Sequence, residues 1–474
     1  MQKSFIALIV LWLPILLSAQ VITVSEDITL NNDAAYEVLG ELGNHILLFR
    51  DAKTEFSVQA FNQQMRESWT KELELDRRNP RVLGVIPTRE DFTLIYQFRD
   101  KGHTIIKAHR YDPAANLIDS ATLVDLGFLF YTPRFEIERS EDRSKALLYF
   151  IENGSVVRSY GFDLPALAML WEKSFAPDDF YFGQNFVQAL IDNSGRMVVV
   201  LERDNVRNRR KPHFFEIHSF AGTGEMEIQA IYLNDHLTYD VYFAIDNLNN
   251  QVVAGGLYAI DNPERAEGLY YLRFSPWTPA EPVLTYNPFD ETFLQNLLGR
   301  DFRNVDRGLS EVSVTDIVLR HDGGALLIVE RNRQLERRTG STGRVYYDGA
   351  ARLMVDYYYD EVFIASLHPD GELHWNTILH KKQYSQDDAG MYSSYFLFTT
   401  PGTLRILFND EIKYENTVSE YVINGLGEYN RNSLFSTANL DLRLRFRDAV
   451  QIAGNALVIP SERRNRLKLV RLTY

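Results

Sequence analysis

The densest set of side chains able to do chemistry is His380-Lys381-Lys382-Gln383-Tyr384-Ser385-Gln386-Asp387-Asp388-Ala389-Gly390-Met391-Tyr392-Ser393-Ser394-Tyr395. Ammonium groups, carboxylates, amides and aromatic rings in one short stretch are the means of ligand recognition. Lys381 and Lys382 can pair with Asp387 and Asp388, and the rings can stack on a planar or sugar ligand. Lys381, Lys382, Gln383, Asp387, Asp388, Tyr392 and Tyr395, with Tyr358 upstream, form the candidate ligand-binding set. The same residues also suit a rigid, hydrogen-bonded link between two structural units.

Catalysis is harder to read from these residues. Asp387 and Asp388 are adjacent, whereas the carboxylates of a glycosidase must face each other across a gap of about 5 Å or more. No Asp-x-Asp-x-Asp run followed by a bidentate Glu marks a calcium loop, so calcium is the one cofactor these carboxylates raise and none is expected. Asp235, His236 and Asp240 make a second, smaller cluster. The basic run Arg203 to Lys211 reads as a solvated loop on an acidic protein. Gly-x-Ser-x-Gly, His-Glu-x-x-His, P-loop and dinucleotide fingerprints are all missing, so no catalytic or metal-ligating residue is assigned.

Something must hold these side chains in place, and the chain is repetitive. Turn-like clusters recur at Gly43-Asn44, Arg89-Glu90-Asp91, Glu141-Asp142-Arg143, Asp192 to Gly195, Asn247 to Asn250, His321 to Gly324, Thr400-Pro401-Gly402 and Gly454-Asn455. The usual interval is about 50 residues, the scale of a propeller repeat. Each cluster precedes a compact apolar run such as Ile46-Leu47-Leu48-Phe49 or Met197 to Leu201. A third run alternates apolar with polar, as in Phe56 to Phe61, which marks a strand. A fourth run often carries Trp: Trp69, Trp171, Trp375. Pro369-Asp370-Gly371 between the third and fourth runs of the sixth unit is a turn.

The expectation is an all-β chain: a β-propeller of about eight four-stranded blades, with seven as the alternative. A solenoid repeat would be much shorter, and separate sandwiches would need linkers. The last unit stops after its third run, Arg466 to Leu472, while Val21 to Ser25 has no partner. That N-terminal segment is expected to supply the missing outer strand and close the ring.

Strand alternation assigns the loops to faces. Turns between first and second strands, and between third and fourth, share one face. Turns between second and third strands, and the links between units, share the other. The long pieces 203–213, 288–312, 331–358 and 380–390 all fall on the second face, three of them around the sixth unit. Within 288–312, Glu291 to Gly299 is expected to form one short helix ending at Gly299. Long loops on a rigid scaffold often carry function.

The N-terminus has Lys3, an apolar core from Phe5, and Ser18-Ala19-Gln20. This is the pattern of a secretory signal, shorter than the roughly 20 residues needed to cross a bilayer. Residues 1–19 are expected to be cleaved and 20–474 to form one propeller domain, with insertions at 288–312 and 331–358. Export to the periplasm or the extracellular space follows. With no cysteine, neither lipid attachment at a cleavage-site Cys nor a disulfide is expected. A formal charge of −14 disfavours nucleic acid as a partner.

The stretch Asp356 to Asp360, His368-Pro369-Asp370-Gly371, Trp375, Lys381 to Tyr384, Tyr392 to Tyr395 and Phe408-Asn409-Asp410 resembles uncharacterised exported propeller-like proteins of Bacteroidota bacteria. The Ser18-Ala19-Gln20 ending is similar to theirs. The resemblance implies export and a propeller fold, and no activity. The functional expectation is a non-catalytic binding or scaffold protein that recognises a protein or glycan of the cell envelope on its elaborated face. The alternative is a carbohydrate-active or other hydrolytic enzyme with carboxylates near the channel mouth.

Overall fold

The computed structural model describes residues 20–30, 33–77, 79–207, 211–299, 302, 308–338, 353–410, 412, 417–437 and 440–474, excluding the side chains of 337, 338 and 353. The signal segment 1–19, the middle of the basic run and the centres of both insertions lie outside these residues.

The chain folds into eight four-stranded antiparallel blades. Seven are consecutive in sequence, spanning 35–73, 81–128, 136–175, 186–232, 237–288, 312–379 and 396–436. Blade eight takes three strands from 450–473 and its outer strand, Val21–Val24, from the N-terminus. Val21 to Val24 pair with Thr473 to Val470, so the ring closes as expected and the count is eight rather than seven.

Burial explains the repeat. The second strand of each blade is covered on both faces, because a blade packs against two neighbours, and this demands an uninterrupted apolar run. In blade one, Leu47 and Phe49 join a core with blade two. Ile46 and Leu48, pointing the other way, join a core with blade eight. Similar clusters fill the remaining junctions. The core is therefore a ring of eight inter-blade seams.

Two of the fourth-run tryptophans, Trp171 and Trp375, are staples between blades. The Trp171 indole N–H donates to the Gly195 carbonyl (2.7 Å) in the first turn of blade four. Its ring lies over Gly161, where an added Cβ would sit 2.3 Å from the ring. The Trp375 indole donates to Gly425 (3.2 Å) of blade seven, and Thr377 donates to Gly427 (2.6 Å).

The helix in 288–312 spans Glu291–Leu298, with Gly299 at its end at φ 53°. The Asp290 carboxylate caps it by accepting from the Phe293 N–H (2.7 Å). Phe293, Leu297 and Leu298 are buried in the seam between blades five and six. Residues 331–358 differ from the expectation of a simple turn insertion. At both ends they continue strands, Ala325–Arg338 and Leu353–Leu367, which pair from Ala325↔Leu367 to Arg338↔Leu353. The link 380–390 also contains a strand, Gln383–Gln386.

Candidate functional site

The extended strands make an arm on the elaborated side of blade six. The inner strand Val312–Leu319 accompanies the arm only as far as Arg331, and the outer strand Leu373–Leu379 only to Val362. Beyond them Gln383–Gln386 pairs with Asp356–Tyr359 and makes a third strand. Asp387 extends that pairing. Its N–H donates to the Val355 carbonyl, and its Oδ1 accepts from the Val355 N–H, both at 2.9 Å.

The link that carries most of the sequence-derived set is tied down at the root of this arm. Lys381 is buried, with its Nζ 2.6 Å from the Glu330 carboxylate, and both side chains are 1% exposed. Lys381 also donates to the Tyr359 carbonyl (3.1 Å) and to Gln383 Oε1 (2.9 Å). Burial pushes the ammonium below the usual lysine range, and the charge of Glu330 pulls it back. The Gln383 amide donates to the carbonyls of Ser394 (3.2 Å) and Asn409 (2.8 Å) and accepts from the Ser394 N–H (2.8 Å). Ser394 Oγ donates to the second Glu330 oxygen (2.7 Å).

The other members of the set are spread along this scaffold. The Tyr395 hydroxyl donates to Asp316 (2.7 Å) on the inner strand of blade six. The Tyr392 hydroxyl donates to the Glu462 carbonyl (2.9 Å) of blade eight. Asp388 accepts from Ser385 Oγ (2.7 Å) and the Gly390 N–H (2.9 Å). Tyr358 stands on the arm beside Tyr384, ring centres 5.1 Å apart, with the Arg333 guanidinium 4.5 Å over it. Lys382 is exposed. Lys381 and Gln383 thus meet directly, whereas Asp388 and Tyr392 meet through Arg443, 3.8 Å from Asp388 and 3.9 Å over the Tyr392 ring.

Arg443 opens a row that the sequence reading missed. In Arg443-Leu444-Arg445-Phe446-Arg447, Leu444 and Phe446 are 0% exposed, and the arginines meet aromatic rings. Arg445 lies 5.4 Å over Tyr36, and Arg447 lies 4.7 Å over Tyr359 at the foot of the arm. Arg445 and Arg447 line a cleft of about 550 Å³ between blades eight and one, with Tyr36, Glu37, Asp448 and Glu462. The available signal was the alternation of apolar residues with arginine.

The second cluster comes apart. Asp235 is exposed in a tight turn at φ 67°. His236 stacks on Tyr286 at 3.9 Å. Asp240 instead bridges blades five and six by accepting from the Val314 N–H (2.8 Å). Burial pushes its carboxyl pKa above the usual carboxylate range. The carboxylate electrostatically coupled to it is Glu202 of blade four, pushed up to about 7, chiefly by burial. Asp240 adds to that rise, and hydrogen bonds from Asn205 and Thr238 oppose it. Beside them His213 donates from Nδ1 to the Arg203 carbonyl (2.7 Å), and its Nε2 lies 2.8 Å from Thr238 Oγ1. Burial lowers the basicity of this imidazole.

Among the described residues no group of three or more His, Asp or Glu is arranged to hold a metal ion, and no helix is long and apolar enough to cross a membrane. No family model matches the chain, and no curated protein matches it. Solved structures do. The β-propeller domain of the Trilobed protease from Pyrococcus furiosus is 12% identical, at a TM-score of 0.35 over 84% of this chain and 98% of that one. A protein of unknown function from Bacteroides caccae is 12% identical, at 0.28 over 73% and 93%. Dipeptidyl peptidase 4 of Porphyromonas gingivalis is 9% identical, at 0.44 over 92% of this chain and 56% of that one. At such distances none of them bears on activity.

Proposed function

We propose that the protein is an exported, non-catalytic binding propeller, akin to the propeller-like proteins of Bacteroidota that its sequence resembles. It holds a protein or glycan of the cell envelope on the face that carries the blade-six arm. The observation that supports this is the arm itself. Two strands run beyond what the blade needs, and a buried ion pair with a fully engaged glutamine fixes their root. A stiff projecting element suits recognition, because little freedom is lost when a partner docks. Neither a cofactor nor nucleic acid enters this reading, and it places no span in a membrane.

The test is to replace residues 334–354 by a two-residue Asn-Gly turn. The melting temperature should stay near that of the parent, while capture of a partner from an envelope extract is lost. Undiminished capture would sink the reading. Export is checked separately by N-terminal sequencing of the protein made in a Bacteroidota host. A mature chain beginning at Gln20 supports it, and an intact Met1 overturns it.

The pair Glu202 and Asp240 favours a second reading, hydrolysis near the channel. A carboxyl group half-protonated at neutral pH is a suitable general acid. Turnover of chromogenic glycosides or peptides that Glu202→Gln abolishes would favour this reading. Equal rates with the wild type and the variant would discard it.

A further inference from the structure

Blade eight departs from the repeat in another way. Its second and third strands, Ala456–Arg463 and Arg466–Thr473, meet at the two-residue turn Arg464-Asn465. Like every turn between second and third strands, it lies on the elaborated face. Residues directly opposite share a face of the sheet, and so do residues two apart along a strand. The pairs Ile459↔Val470, Ser461↔Lys468 and Arg463↔Arg466 therefore stand on one face. Ile459 and Val470 close the apolar seam with blade seven. Beyond them the same face turns cationic.

These cations sit where local energetics disfavours them. Arg463 is directly opposite Arg466, and like charges so placed weaken a ladder. Among the described residues the last pair of the same hairpin in the other seven blades never sets like charges together, Asp100↔His103 and Glu152↔Val156 being two cases. Arg464 stands at φ 49° and Asn465 at φ 60°. Turns of this kind favour Asn-Gly, and an arginine in the left-handed region is strained. Burial offers no compensation, since Arg463 and Arg466 are 50% and 69% exposed. Local rules broken without a packing gain mark functional positions.

Charge selects the ligand. The residues line a cleft of about 520 Å³ with Asp27, Asp441 and the buried Ser461, a volume suited to a small molecule. Asp441 pairs with Arg463. Asp27 is shared by Arg466 (3.0 Å) and Lys468 (3.6 Å), and Lys468 also donates to the Leu440 carbonyl (3.3 Å). Among the described residues Arg464 has no carboxylate partner. Arg463, Arg464, Arg466 and Lys468 against Asp27 and Asp441 leave a surplus of two positive charges, in a chain of net charge −14. Guanidinium forks match oxyanions. A phosphomonoester carries close to two negative charges at neutral pH and balances that surplus. A carboxylate or a phosphodiester carries one and does not.

We propose that the cleft at the tip of blade eight binds the dianionic phosphate of a small, soluble phosphomonoester. This goes beyond the binding reading above and does not depend on the arm.

The test is calorimetric titration of the mature chain with glycerol 3-phosphate at pH 8 and low salt, where the probe is a dianion. Glycerol 3-phosphate should bind, while dimethyl phosphate and glycerate, each a monoanion, should bind at least about tenfold more weakly, the loss expected when charged hydrogen bonds go unmade. Arg463→Thr and Arg464→Gly should each weaken glycerol 3-phosphate by about tenfold as well. Neither should lower the melting temperature, because the first removes the like-charge pair and the second relaxes the turn. A residue with a merely structural role would lower it. The ligand series is read on the unaltered protein, so it decides the matter whatever a variant does to folding. The proposal is overturned if glycerol 3-phosphate does not bind at millimolar concentration, if either monoanion binds as tightly, or if the double variant binds undiminished. Co-sedimentation with phosphatidylcholine vesicles containing phosphatidic acid, without a response to glycerol 3-phosphate, would place the phosphate on a lipid headgroup and overturn the soluble ligand.

Discussion

Blade one and blade six start from the same repeat and end differently. In blade one the second strand, His45–Asp51, reaches a short turn in which the Ala52 N–H donates to Glu55. In blade six the second strand runs on to Arg338. Both bury apolar residues on two faces. Blade six adds an ion pair buried at both ends, Glu330 with Lys381, whereas the pair on the second strand of blade one, Arg50 with Asp33 (2.7 Å), leaves its arginine 19% exposed. The regular part of the repeat supplies cohesion through apolar seams. The irregular part spends polar groups on holding an arm in one direction.

If that division is right, the largest effect comes from splitting the ion pair. Lys381→Met leaves Glu330 buried without its cation and should cost about 3–5 kcal/mol. Adding Glu330→Gln should recover much of that loss, because no charge is then left unpaired. Urea unfolding of the three variants checks this. No recovery in the double variant would break the contrast with blade one. Leu47→Ala in the seam between blades one and two should cost about 2–5 kcal/mol, with no partner change that restores it. Removing Val21–Val24 tests the ring as a whole: the melting temperature should fall, because the outer strand of blade eight is lost.

Much of this contrast was legible in the sequence, and the reason is burial. Turn clusters, apolar second runs and Trp-bearing fourth runs appear because every blade faces the same packing problem. The short helix was visible through Gly299 at its end, and the Asp290 carboxylate caps its start. The arm was not visible as strand. Past Arg331 its faces are no longer sandwiched between blades, so the period-two alternation that marks a half-buried strand fades. Arg331-Asn332-Arg333-Gln334 then reads as loop. Glu330 and Lys381 are distant in sequence and only the closed fold brings them together. Glu202 was overlooked for a similar reason, since its partner Asp240 belongs to the next blade.

Glu202 gives a smaller effect with a defined sign. Folded, it keeps its proton up to about pH 7, whereas its unperturbed value is 4.5. Between these values the folded state binds more protons than the unfolded chain, so stability falls as pH rises. The contribution is complete below pH 4.5 and lost as pH passes about 7. Glu202→Gln should flatten this slope and stabilise the protein at pH 8 relative to wild type, by about 1–3 kcal/mol. An unchanged slope from pH 4.5 to 8 would remove Glu202 from any acid–base role.

The smallest effect concerns the covered edge of the arm. Asp387 does two things there: its Oδ1 accepts from the Val355 N–H, and its backbone sits at φ 53°. Asparagine keeps an acceptor oxygen and tolerates the left-handed region, so Asp387→Asn should be close to neutral. Alanine offers neither, and Asp387→Ala should cost about 1–2 kcal/mol, the sum of one hydrogen bond and modest backbone strain. Amide exchange separates a local loss from a global one. Faster exchange at Val355, with the seam residues Leu47 and Leu48 unaffected, would show that the self-covered edge is a local device laid over a ring that stands without it.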